Sequence, residues 1–238
     1  MDDLRDIWVY LSASPLLHLT LTLAAFQCGT FIYTKGKLNP LLNPVMIAVI
    51  IVVTILLLTD TSYVDYFEGA QFVHFLLGPA TVALAIPLYR QFEKVRKSAL
   101  SIIASIVTGS LMAIISALGI GFLLDASNNA LISLAPKSVT APVAMGISEQ
   151  LGGLPSLTAV MVILTGVLGA MIGPLVLNLI GVKDWRARGL AIGTASHGIG
   201  TARALQVNEV AGAFAGLAMG LNALATAILL PIIWQFFF

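Results

Sequence analysis

The stretch Gly193-Thr-Ala-Ser-His-Gly-Ile-Gly-Thr-Ala-Arg203 decides how this chain is read. It sets hydroxyls, a histidine and an arginine between glycines, inside a sequence that is 58% hydrophobic and only 10% charged. Glycine at this density weakens a helix. Lipid offers no partners to freed backbone groups, so irregular polar backbone survives at membrane depth only where it is buried in protein or lines a wet cavity. Residues 193–203 therefore read as half of a binding site, and a second half is expected elsewhere in the chain.

The composition sets the class. A soluble domain carries about 25% charged residues, and the mean hydropathy here is +0.99. The apolar runs are roughly 18–28 residues long, enough to span a bilayer, and they lack the alternation of an outer-membrane barrel. The fold expected is an all-α polytopic membrane protein, multi-pass in the inner (plasma) membrane. The net charge of +1 implies no acidic partner. The basic residues lie in short loops, which is no nucleic-acid footprint. The single Cys28 excludes an internal disulfide. Asp2, Asp3 and Asp6 replace the basic region of a cleavable signal. Leu4, Ile7, Trp8 and Leu11 fall at helical spacing, so residues 1–15 read as an interfacial helix.

Eight apolar segments follow. Segment two is led by Leu38-Asn-Pro-Leu-Leu-Asn-Pro44, where proline is cheap at a helix start and Asn39 and Asn43 are candidate caps. Segment three is interrupted by Gly78-Pro79, and segment five by Pro136-Lys-Ser-Val-Thr-Ala-Pro142. Segment seven is the opening stretch, with Gly193 and Gly200 as its expected breaks. The chain reads as one membrane domain, 1–238, built of repeat 1 (16–124) and repeat 2 (131–238).

The repeat rests on one gapless offset of 115 residues, which pairs Pro40 with Pro155, Gly78 with Gly193, Ala80 with Ala195 and Gln91 with Gln206. Loop charges change sign between the halves. Basic Lys35/Lys37 matches Glu149, acidic Asp60/Asp65/Glu68 matches Lys183/Arg186/Arg188, and basic Arg90 to Lys97 matches Asn208-Glu209. By the positive-inside rule the halves are inverted, a frequent transporter construction with broken helices meeting near the membrane midplane. Inversion needs an odd number of crossings per half, so one segment of four must re-enter. Segment five is the best candidate.

Of the twelve Lys and Arg residues, nine lie in basic loops and Arg5 at the N-terminus, leaving Lys137 and Arg203 inside broken apolar segments. A charge at membrane depth costs at least about 2.5 kcal/mol and marks a substrate pathway or an ion pair. The alternatives are an Arg203 that snorkels to the interface and a Lys137 that contacts a helix end. Ser138, Thr140, Thr194, Ser196 and Thr201 supply neutral donors beside these cations, unless they only let helices pack closely. His197 reads two ways, as a proton relay or as a hydrogen-bonded packing residue. His18 and His74 read as interfacial. Ser196-His197 are adjacent and lack an acid, so they form no triad. Gly198-Ile-Gly200 lacks a dinucleotide context, and no metal spacing occurs. No catalytic group and no cofactor is expected.

These motifs, with Pro79-Ala-Thr-Val-Ala-Leu-Ala-Ile-Pro-Leu-Tyr89 and Pro136 to Met145, resemble the LrgB/CidB family, including its YohK-like bacterial members, over nearly the whole chain. The resemblance implies two kinds of function. One is an antiholin-like regulator of murein hydrolase export and cell lysis. The other is carriage of small monocarboxylates, since a similar plastid protein moves glycolate and glycerate and similar bacterial pairs take up pyruvate. It also implies a separate small LrgA/CidA-type membrane partner.

The sequence expectation is a carrier for a small carboxylate anion. Lys137 and Arg203 hold the carboxylate; Ser138, Thr140, Thr194, Ser196 and Thr201 bind a second oxygen; His197 is the candidate for a coupling proton. Gly78, Pro79, Pro136, Pro142, Gly193 and Gly200 let the segments break. The partners expected are the bilayer and, by analogy with other small carriers, a second copy of the chain.

Overall fold

A computed structural model describes residues 15–36, 42–76, 79, 82–83 and 85–237. The expected interfacial helix at 1–15 (all but Pro15), the candidate cap Asn39 and the expected break at Gly78 lie outside the described residues; Pro79 is helical. The described residues contain helices and no strand. Four of those helices are long and apolar enough to cross a membrane, so the chain is an all-α polytopic membrane protein. It divides into two compact units, Met1–Ala83 and Leu84–Phe238.

In the first unit, α1 (Pro15–Lys35) packs against α2 (Pro44–Leu58) and α3 (Tyr63–Phe75). Apolar spans hide hydroxyls by turning them onto their own backbone. Thr30 Oγ1 donates to Phe26 O at 2.9 Å and Thr34 Oγ1 to Thr30 O at 3.0 Å. Helix α2 starts as its sequence dictates. Asn43 Oδ1 accepts from Val45 N at 2.8 Å, and Pro44 takes a first-turn position where a missing N–H costs nothing.

The second unit holds α4 (Ala85–Arg90), α5 (Phe92–Lys97), α6 (Ala99–Leu123), α7 (Asn128–Leu134), α8 (Ala141–Gln150), α9 (Pro155–Leu179), α10 (Trp185–Val207) and α11 (Glu209–Phe237). Helices α6 and α11 run parallel. Ile102 and Ile106 cluster with Phe214 and Ala218 near their starts, and Ile114 and Leu118 with Leu230 towards their ends. Helix α9 runs the opposite way, because Gly166 meets His197 while Gly173 meets Ile192, and α10 sets out parallel to α11.

Segment five folds back on itself. Leu154 N donates to Ser133 Oγ at 2.8 Å although the two are 21 residues apart. A continuous helix of that length would separate them by roughly 30 Å. Leu131 of α7 and Ile147 of α8 share one buried cluster, so the two short helices form a hairpin with residues 135–140 as its tip. Pro136 opens that tip and Pro142 lies in the first turn of α8.

Segment seven also folds back, which the sequence reading did not require. A Cβ placed on Gly200 would lie 3.1 Å from Ile192 O. Eight residues of straight helix would put these about 12 Å apart. The start of α11 touches both limbs, since Gly212 abuts Leu205 and Gly189 abuts Phe214. The break falls at His197, with φ 41° and ψ −133°, rather than at Gly193 or Gly200. Those glycines serve close approach instead. Gly193 lets the entering limb lie on the backbone of Ala215, and Gly200 lets the returning limb lie on Ile192.

The two hairpins enter from opposite ends of the second unit. The α7–α8 hairpin starts beside the end of α6, where Gly121 meets Leu131. The α10 hairpin starts and finishes beside the start of α11. Glu209 pairs there with Arg90 at 3.3 Å, so the Asn208-Glu209 loop shares an end with the basic residues that precede α6.

Candidate functional site: two hairpin tips and a cavity

The tips come together near the middle of the long helices. Residues 135–140 form one tip, and residues around His197 form the other. A positive φ at a non-glycine residue costs about 1–3 kcal/mol and persists only where its surroundings hold it. Here they do. His197 Nε2 lies 2.9 Å from Val162 O, and Thr201 Oγ1 donates to His197 O at 2.7 Å. Gly166 makes room for the ring, since a Cβ there would come within 2.5 Å of Cε1.

A cavity of about 890 Å³ opens beside the tips, between α6, α9 and the entering limb of α10. Lys137, Ser138, Thr194 and Ser196 all line it. Four of the eight expected ligand residues, drawn from segments five and seven, therefore meet at one place. Much of the remaining wall is apolar, with Met112, Leu168, Ile172 and Val176 among it. Lys137 Nζ donates to Ser138 Oγ at 3.3 Å, and among the described residues no carboxylate pairs with it. Ser196 is fully buried, and its Oγ has no partner among the described residues.

The other four expected residues stand apart from that wall. His197 and Thr201 hold the α10 tip. Thr140 is the N-cap position of α8 but makes no side-chain cap bond. Arg203 is half-buried on the returning limb of α10.

Two residues escaped the sequence reading. Asn222 of α11 is 1% exposed, and its Nδ2 donates to Ser138 O and to Thr194 O, each at 3.0 Å. Ser110 of α6 donates to Asn222 Oδ1. One carboxamide thus bonds both tips. The available signal was a lone amide in the middle of the last apolar span, where an unpaired polar group is costly.

Residues 22–236 match the LrgB-like family. The chain belongs to that family. Among its relatives, the holin-like protein CidB of Staphylococcus epidermidis is 34% identical over 96% of this chain and 99% of its own length. The antiholin-like protein LrgB of Bacillus subtilis is 35% identical, covering 93% of this chain and 96% of its own. The protein YwbG of Bacillus subtilis is 40% identical over 82% of this chain and 86% of its own. No solved structure matches. The LrgB-like match takes in both hairpins and every long helix of the second unit.

Proposed function

We propose that this LrgB-like protein is an inner-membrane carrier of small monocarboxylates or 2-hydroxy acids, of the pyruvate, glycolate and glycerate class. The observation that carries the reading is Lys137, a half-buried ammonium at a hairpin tip, beside a cavity and without a carboxylate partner among the described residues. A cation at membrane depth is expensive unless an anion or water completes it. Ser138, Thr194 and the unpartnered Ser196 hydroxyl offer donors to the remaining oxygens of one small carboxylate. Arg203 lies on the returning limb and is not part of the cavity wall, so the carboxylate site rests on Lys137. By the positive-inside rule Lys94, Arg96, Lys97, Lys183, Arg186 and Arg188 face the cytoplasm. The α10 hairpin then enters from the cytoplasmic side and the α7–α8 hairpin from the opposite side. Broken segments that approach a midplane site from both sides suit alternating access.

The second reading is an antiholin-like regulator of murein hydrolase export and cell lysis, and the names of the relatives LrgB and CidB favour it. A small LrgA/CidA-type membrane protein and a second copy of the chain are the partners proposed under either reading.

Uptake of labelled pyruvate and glycolate into proteoliposomes, with and without a proton gradient, separates the two. Lys137→Met keeps most of the length of the side chain and removes its charge. The carrier reading expects uptake to fall about 30-fold or more in this variant, the scale of losing one partner of a desolvated charge pair, while the protein stays folded. No uptake by the wild type, even with an LrgA-type protein added, together with a lysis phenotype that Lys137→Met leaves intact, moves the conclusion to the regulator.

A further inference from the structure

Asn222 does more than fill space in α11. Its amide nitrogen spends both hydrogens on backbone carbonyls, one from each hairpin tip, and its oxygen accepts from Ser110 of α6. The orientation of the amide is forced. Turned over, Oδ1 would face two carbonyl oxygens, neither of which can donate to it. Asparagine is suited to this place because it carries two donors on one atom and an acceptor on the other. Aspartate has one donor at most and none once ionised, leucine lacks both, and glutamine is a methylene too long for a site 1% exposed.

The two carbonyls belong to Ser138 and Thr194, which line the cavity with Lys137. A free carbonyl oxygen is the negative end of a peptide dipole, and beside an anion site it repels the ligand. A carboxamide that engages both oxygens counters this. We infer that Asn222 is the positioning residue of the site: it locks the two hairpin tips into one unit and holds the Ser138 and Thr194 carbonyls away from a bound anion. The locking stands on the hydrogen bonds alone, whereas the effect on an anion rests on the carrier reading.

The locking is tested without transport, by hydrogen exchange on the purified chain in lipid nanodiscs. In Asn222→Leu, peptides over residues 135–140 and 193–200 are expected to exchange faster together, by about 10- to 30-fold, the scale of two lost neutral hydrogen bonds, while the middle of α9 keeps its wild-type rate. Tips that keep wild-type protection, or one tip that opens alone, overturn the lock. Should Asn222→Leu fail to fold, Ser110→Ala removes only the donor to Oδ1, and a smaller acceleration shared by both tips is expected. The effect on the anion is read from pyruvate uptake by Asn222→Asp. That acid donates one hydrogen while protonated and none once ionised, so its KM is expected to rise with pH relative to wild type while the maximal rate changes less. A KM ratio that is flat with pH overturns the electrostatic role. Absence of uptake by the wild type removes the carrier reading and that role with it, and leaves the exchange result to decide the lock.

Discussion

The Nε2 atom of His197 lies 2.9 Å from the carbonyl oxygen of Val162. A carbonyl only accepts, so Nε2 carries the hydrogen and the imidazole pins the α10 tip to α9. Of the two roles its sequence position allows, this geometry favours the pin. His197→Gln, whose amide also donates, is expected to keep the wild-type pH profile of uptake and to lose less than about threefold in rate. His197→Leu is expected to lose about 1–3 kcal/mol of stability, the cost of leaving a buried partner unsatisfied. A pH profile abolished in both variants would return His197 to proton carriage.

Gly166 is the counterpart of that pin. A methyl there would meet the His197 ring at 2.5 Å from Cε1 and 2.7 Å from Nε2, so the ring must move and the bond to Val162 must break. Gly166→Ala is expected to destabilise by about 1–3 kcal/mol through overpacking. Gly220→Ala meets nothing within 4 Å and is expected to be neutral or slightly stabilising, because alanine is the better helix former. Thermal unfolding of the two variants in one detergent makes the comparison.

Ser196 separates a ligand role from a structural one. Its hydroxyl is buried, lines the cavity and has no partner among the described residues. A buried hydroxyl left unpaired costs about 1–3 kcal/mol. Ser196→Ala is therefore expected to keep or raise the melting temperature while raising the KM for a carboxylate. A fall in stability with an unchanged KM would make Ser196 a packing residue.

Asp184 caps α10 outside the apolar region. The side-chain hydrogen bond from Arg186, and then the backbone N–H of Arg186, hold its carboxyl well below the usual range, at about 2. A depressed folded-state value stabilises above the unfolded value of about 3.9, and that contribution disappears as pH falls towards about 2. The pair is exposed, so the effect is expected to stay below about 1 kcal/mol. Asp184→Asn keeps a capping side chain and is expected to flatten the acid limb of stability, as followed by unfolding scans between those pH values.

Much of this architecture was legible in local chemistry. The Asn43 cap and the helix start at Pro44 follow from residue types alone, and Pro136 and Pro142 mark the turn between α7 and α8 because each removes a backbone donor. The fold-back of α10 was hidden for a physical reason. Glycine counts pointed to Gly193 and Gly200, but a break needs a held conformation, and it is held at His197 by Val162 O and by the space over Gly166, both supplied from a distant helix. Asn222 was hidden in the same way. The hydrophobic run of α11 reads as a plain span, and the meaning of its amide appears only when two tips from opposite ends reach it.

The topology of segment seven can be tested by labelling. Loop charges alone match Asn208-Glu209 to a basic loop and so suggest opposite sides of the membrane for the two ends of segment seven. The structure brings the returning limb back. Gly212 abuts Leu205, Gly189 abuts Phe214, and Glu209 reaches Arg90. Single cysteines introduced in a Cys28→Ser background read this directly with an impermeant thiol reagent on sealed vesicles. Lys183→Cys and Asn208→Cys are expected to label from the same side, and Gln150→Cys, at the end of α8, from the other. If α10 crossed the bilayer, Lys183→Cys and Asn208→Cys would label from opposite sides. The α10 hairpin would then be lost, and with it the meeting of the two tips on which the site is built.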